Sequence, residues 1–183
     1  MSLRVSVVCA VSALLLARPA AAQRTGTIEV GGFLRFTDFD NSLNISNKAG
    51  VGGRLGVFVV PRISVEAEFS TTSTDSGPNF DVKHKPFHLF GVYNHPADAK
   101  ADLLIGVGYV HNKYSDGSGV SSSDNGVAGL VGIRYRFRDL LALRLDASED
   151  FMPSPANKSP NASFNGNLGL QLGLSVLINV MKQ

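Results

Sequence analysis

Apolar and polar residues alternate along this chain in segments that continue to its C-terminal end. The clearest runs from Asn167 to Ile178. One parity holds Leu168, Leu170, Leu172, Leu174, Val176 and Ile178, and the other Asn167, Gly169, Gln171, Gly173, Ser175 and Leu177. A strand turns successive side chains to opposite faces, so this segment predicts a strand with one apolar face and one mostly small or polar face. Seven earlier segments share the pattern: Thr25–Thr37, Ala49–Val60, Ile63–Ser70, Val82–Tyr93, Ala101–Tyr114, Gly126–Phe137 and Leu141–Ser148. Val82–Tyr93 alternates least cleanly. Val, Ile, Phe, Tyr and Gly dominate these segments, and helical spacing fits none of them.

The connections alternate in length. Val60-Pro61-Arg62, Asn94–Lys100 and Arg138–Leu140 are short, whereas Thr37–Lys48, Thr71–Asp81, Ser115–Asn125 and Glu149–Phe164 are longer and rich in Ser, Asn, Asp, Gly and Pro. Short turns at one end and long loops at the other are the pattern of an up-and-down barrel that crosses an outer membrane. The expected fold class is therefore all-β, an eight-stranded antiparallel transmembrane barrel. Its apolar parity would face lipid and its polar parity would line the lumen.

The N-terminus supports export. Arg4 precedes an apolar stretch, Val5–Leu16, and Ala20-Ala21-Ala22 supplies small residues for cleavage, so residues 1–22 read as a signal peptide and 23–183 as the barrel domain. The apolar stretch is shorter than the roughly 20 residues that span a bilayer as a helix. Cys9 falls inside it, which leaves the exported chain without a cysteine, a disulfide or a thiolate metal site. Of 17 basic and 15 acidic residues, the signal removes Arg4 and Arg18 and no acid. The exported chain is thus formally neutral, and nucleic-acid binding has no electrostatic support.

On the polar parity lie Glu29, Arg35, Arg54, Glu66, Glu68, Arg134, Arg136, Arg144 and Asp146. Opposite charges enclosed in a small barrel are expected to pair, because an isolated buried ion is costly. These nine form the candidate lumen charge network, with Arg54 and Arg134 expected to meet Glu66 or Glu68. A gated pore lined by the same residues is the alternative. His84, His88, His95 and His111 show no spacing for a metal or a catalytic set and read as surface or interfacial, with His95 in a short turn. No cofactor is expected. Gly50, Gly52, Gly53 and Gly56 lack the spacing of a dinucleotide fingerprint and read as sites of close strand approach. Tyr93, Tyr109, Tyr114, Tyr135, Phe36, Phe87 and Phe137 are candidates for interfacial aromatic girdles. Asn44, Asn157 and Asn161 begin Asn-x-Ser sequons that count only as loop composition.

Several stretches resemble the OmpA-like small outer-membrane beta-barrel family: Ile28–Phe33 with Phe36–Asp40, Gly52–Gly56, Val65–Glu68, Gly106–Tyr109 and Gly132–Tyr135. The resemblance implies an integral barrel in the outer membrane of a diderm bacterium, in contact with its lipid. The final strand resembles the signal read by the barrel assembly machinery, with Gly173, Val176 and Ile178 at the spaced positions, although no terminal Phe is present. Nothing resembling a peptidoglycan-binding domain follows, so cell-wall anchoring is not carried over. The expected function is a non-enzymatic, monomeric structural barrel whose extracellular loops serve adhesion or binding. The rivals are a small gated pore, a lipid-modifying enzyme and a soluble ligand-binding barrel. Some barrels of this kind deacylate lipid A with His, Ser and Glu on the outer wall, and this chain has no His-x-Ser pairing.

Overall fold

The structure is a computed structural model and describes residues 25–40, 43, 45–75, 81–117, 119–153 and 165–180. The expected signal peptide and the three sequon asparagines lie outside the described residues. Eight strands make up the fold: β1 (Thr27–Asp38), β2 (Lys48–Val60), β3 (Ile63–Asp75), β4 (Asp81–Pro96), β5 (Ala101–Asp116), β6 (Ser121–Arg136), β7 (Leu141–Met152) and β8 (Asn165–Asn179). Each pairs antiparallel with the next, and β8 pairs with β1 over Thr27–Asp38, which closes the barrel. No helix among the described residues is long and apolar enough to cross a membrane.

The period-two pattern decides which face turns outward. Leu34, Val107, Leu145 and Leu172 are exposed on the outer wall, at 61%, 70%, 57% and 51%. Their neighbours Arg35, Arg144 and Gln171 are buried in the lumen. A soluble barrel would hold these leucines and valines inside. Here they form a continuous outer belt, the arrangement that lipid stabilises.

The strands run further than the alternation predicts. Thr71–Asp75, Ser121–Asn125 and Glu149–Met152 belong to β3, β6 and β7, not to loops. The β3 and β6 extensions are polar on both faces, and the β7 extension mixes Glu149 and Asp150 with Phe151 and Met152, so the period-two signal fades while the backbone ladder continues. β4, β5 and β6 have 16 residues each, more than the roughly 9–11 that cross a bilayer. The connection between β5 and β6 consequently shrinks to residues 117–120, no longer than 97–100 at the opposite end. Loop length still separates the two ends, since 39–47 and 153–164 remain long, and the strand extensions add to the difference. His95 likewise falls within β4 and is nearly buried, instead of lying in a turn.

Two local features hold the wall. Pro61 and Arg62 alone connect β2 to β3, and Arg62 adopts φ 73°, a left-handed conformation that most side chains avoid. Its carbonyl accepts hydrogen bonds from the Asn94 backbone N–H (2.7 Å) and side-chain amide (3.3 Å), which pin the turn. At Gly52 a Cβ would sit 2.4 Å from the Phe33 ring, so this glycine makes room for an aromatic side chain inside the lumen.

The irregularity of Val82–Tyr93 has a structural cause. Phe90 and Val92 point inward and pack with Leu104, Val110, Ala128, Leu130 and Met152 into an apolar wedge on the β4–β7 side of the lumen. Both faces of β4 are thus apolar at mid-barrel, and alternation cannot register there.

Candidate functional site in the barrel lumen

The charges on the inward parity converge because neighbouring strands bring them to adjoining levels. Arg54, on β2, reaches across the lumen. Its Nε donates to Glu68 Oε1 at 2.6 Å, and its Nη2 donates to Asp146 Oδ2 at 2.6 Å and to Gln171 Oε1 at 2.8 Å. The Gln171 amide in turn donates to Glu68 Oε2 at 3.0 Å. Arg134 donates to Glu29 Oε2 at 2.6 Å and to Asn94 Oδ1 at 2.8 Å. Arg144 lies between Glu66 (2.8 Å), Asp146 (2.9 Å) and Glu29 (3.3 Å). The guanidinium groups of Arg54 and Arg134 also lie over the rings of Phe33 and Phe58. Every one of these charged side chains is essentially inaccessible, so each pair is strong only because several partners meet it.

Of the nine charges expected in the lumen, eight are buried there. Arg136 shares their parity but lies at the short-turn rim with its side chain 15% exposed, 3.5 Å from Asp102 and donating to the Ala99 carbonyl. The expected partner set for Arg54 and Arg134 was too narrow. Arg54 does meet Glu68 at 2.6 Å, but Arg134 meets Glu29 more closely than Glu66, at 2.6 Å against 3.7 Å.

A second cluster occupies the long-loop end, and the sequence reading missed it. His84 and His88 are buried in the lumen, not at the surface. His88 Nε2 meets Asp150 Oδ1 at 2.8 Å, and the Asn112 amide donates to Asp150 Oδ2 at 3.4 Å. Asn112 Oδ1 therefore faces His84 Nε2 at 2.8 Å and accepts its proton. Arg35 approaches the same carboxylate at 3.8 Å. Tyr114, expected in a girdle, instead stacks on His84 at 4.8 Å, and Phe39 meets the same ring edge-on at 5.0 Å. Asn167 donates to the Tyr114 hydroxyl, and its Oδ1 accepts the Asp40 backbone N–H. Asn47 holds the Phe39 backbone N–H at 2.9 Å and bonds to Asp38. Phe39, His84 and Tyr114 together cover this end of the lumen.

The histidines had a signal in the sequence. They share the parity opposite Phe87 and Leu89 on β4, but the inward Phe90 and Val92 obscured it. Asp150 and Asp124 fell on segments read as loops, and Asp102 lay just before the apolar run of β5.

No group of three or more His, Cys, Asp or Glu among the described residues is arranged to hold a metal ion. Buried Ser148 Oγ makes no hydrogen bond among the described residues. On the outer wall, His111 Nδ1 meets Asn125 Oδ1 at 2.8 Å, and the Tyr109 hydroxyl donates to the same oxygen. The other girdle candidates, Tyr93, Tyr109, Tyr135, Phe36, Phe87 and Phe137, are exposed on the outer wall.

Solved structures share this barrel. The N-terminal beta-barrel domain of Pseudomonas aeruginosa OprF is 12% identical with a TM-score of 0.60, covering 85% of this chain and 100% of that one. Neisserial surface protein A is 13% identical with a TM-score of 0.61, covering 82% and 95%. Ail, the attachment invasion locus protein of Yersinia pestis, solved with the heparin analogue sucrose octasulfate, is 15% identical with a TM-score of 0.55, covering 83% and 97%. At these identities the likeness establishes the fold. No curated protein matches the chain in sequence. The family of the outer membrane protein beta-barrel domain matches residues 7–149. A closed barrel with its charges inside and its leucines outside, matched over that length, belongs to the outer membrane protein beta-barrel domain family and resides in the outer membrane.

Proposed function

We propose that this protein is a non-enzymatic, monomeric structural barrel that does not conduct and that presents its long-loop end outside the cell for binding or adhesion. The observation that carries this reading is the filling of the lumen. Interlocked arginines and carboxylates occupy one level, the Phe90–Met152 wedge occupies one side, and Phe39, His84 and Tyr114 cover one mouth. A hydrated pore would leave charges facing water, whereas Arg54, Arg134 and Arg144 are spent on carboxylates and amides. The outward orientation of the long-loop end follows from the polar strand extensions there and from the usual placement of short turns in the periplasm. Export would use residues 1–22 as a cleaved signal. Assembly would use Gly173, Val176 and Ile178 on β8. Gly173 also has a packing role, because a Cβ there would approach Phe33 Cβ at 2.9 Å.

Planar bilayers test the reading. The purified barrel is expected to give no stable conductance steps, and reproducible steps that disappear on changing Arg54 or Arg144 would establish the pore instead. Protease treatment of whole cells reports orientation separately. Cleavage within 116–121 in intact cells is expected, and protection there with cleavage only after lysis would reverse the assignment.

A further inference from the structure

The outer wall carries three lysines at the long-loop end of β4 and β5, with the exposed Asp81 beyond them at the tip of β4. Lys83, Lys85 and Lys113 point outward and are exposed. Lys85 and Lys113 are directly opposite in the β4–β5 register, which places their Cβ atoms about 5 Å apart. Like charges facing each other across strands are destabilising unless an anion joins them. None of the three makes an ion pair among the described residues, and the nearest acid on β4's outer face, Asp81, bonds to none of them.

The patch sits where the apolar belt ends. One step inward from Lys85 and Lys113 the register pairs Phe87 with His111, and the next step pairs Leu89 with Tyr109. That places the ammonium groups one pleat, about 7 Å, above the aromatic boundary, at headgroup depth. Small polar side chains flank the lysines on the same wall: Thr71 and Ser73 on β3, and Ser123 and Asn125 on β6. Asn125 Oδ1 is occupied by His111 and Tyr109, which leaves its amide N–H groups to donate outward. On the far side of the barrel, at the same end, the outward charges are instead Asp38 and Glu149. Asp81 is outward on the lysine side as well, two residues beyond Lys83, whereas the facing Lys85 and Lys113 have no acid on the intervening positions.

We propose that Lys83, Lys85 and Lys113 form a binding site for the phosphate of a phosphorylated glycolipid in the outer leaflet. The lysines hold the phosphate, and the flanking hydroxyl and amide groups meet the sugar. The outer-leaflet assignment rests on the orientation proposed above; the binding chemistry does not.

The test uses the full barrel in detergent, with native mass spectrometry and competition as readouts and bis-phosphorylated lipid A as the probe. Wild type is expected to retain it in preference to dephosphorylated lipid A and to phosphatidylglycerol. Single Lys→Gln changes should weaken retention roughly fivefold and the triple change roughly a hundredfold, as expected from lysines acting near a charged headgroup. Lys100→Gln, in the opposite turn, should leave it unchanged. Heat-modifiable gel mobility verifies that each variant is folded. Equal retention of the phosphorylated and dephosphorylated lipids, or an unchanged folded triple variant, would overturn the site, and equal competition by phosphatidylglycerol would overturn its assignment to a glycolipid. Because detergent binding is independent of orientation, a reversed protease result leaves these outcomes readable.

Discussion

Arg144→Ala will destabilise the barrel by about 3–5 kcal/mol, the usual cost of removing one partner from a buried ionic cluster. The side chain meets Glu66 at 2.8 Å, Asp146 at 2.9 Å and Glu29 at 3.3 Å, and none of the four is accessible to solvent. Truncation leaves three carboxylates facing one another with Arg54 and Arg134 as their remaining counter-ions. Arg138→Ala, in an exposed turn, should cost less than about 0.5 kcal/mol. The chain has no Trp, so urea unfolding in lipid is best followed by far-UV circular dichroism or gel mobility. The Arg144→Met, Glu66→Gln pair should recover part of the loss, because removing both charges lessens the imbalance that the single change leaves. If Arg144→Ala unfolds at the wild-type urea concentration, the lumen is hydrated and the proposal of a filled, non-conducting lumen fails with it.

The second large effect concerns the outer wall. Leu172 lies midway along β8, paired with Leu34 on one side and Leu145 on the other, all three exposed to the lipid side. Leu172→Arg should cost roughly 2–4 kcal/mol, and Leu168→Arg, near the long-loop end of the same face, roughly 0–1 kcal/mol. The gradient is the informative result, because only a bilayer makes one face more hostile to charge at its middle than at its end. Equal costs at the two positions would mean that no hydrocarbon layer surrounds this wall. Gln171 is a poor lumen control, since its side chain already bonds Arg54 and Glu68 and a second guanidinium there would oppose the first.

The fold was legible because lipid imposes a strict demand on alternate residues. Wherever one face met hydrocarbon, as in Leu168–Ile178, parity alone separated wall from lumen. The reading lost resolution in two physical situations. At the strand ends the alternation breaks down, with both faces polar around Asp124 and with Glu149 and Asp150 set beside Phe151 and Met152, so both aspartates were assigned to loops although the ladder continues through them. At mid-barrel on β4, both faces are apolar, so Phe90 and Val92 concealed the inward parity of His84 and His88. The charged level was readable residue by residue because it is carried by strands with clean alternation. Its pairing was not, because which carboxylate an arginine reaches depends on strand stagger across the lumen. Arg54 and Gln171 are 117 positions apart, and Arg134 and Glu29 are 105 apart.

The seam between β1 and β8 has a consequence for how the molecule comes into being. The first and last strands must meet, so closure waits for the final segment of the chain and joins its most distant parts, a slow class of contact. Two free edges exist until then, and a one-residue slip of β8 would turn Leu168, Leu170 and Leu172 toward the lumen. Gln171 is the member of β8 that completes the Arg54–Glu68 cluster, and only the native register places it there. The cluster thus acts as a proofreading latch that engages once the last strand has docked in the right frame.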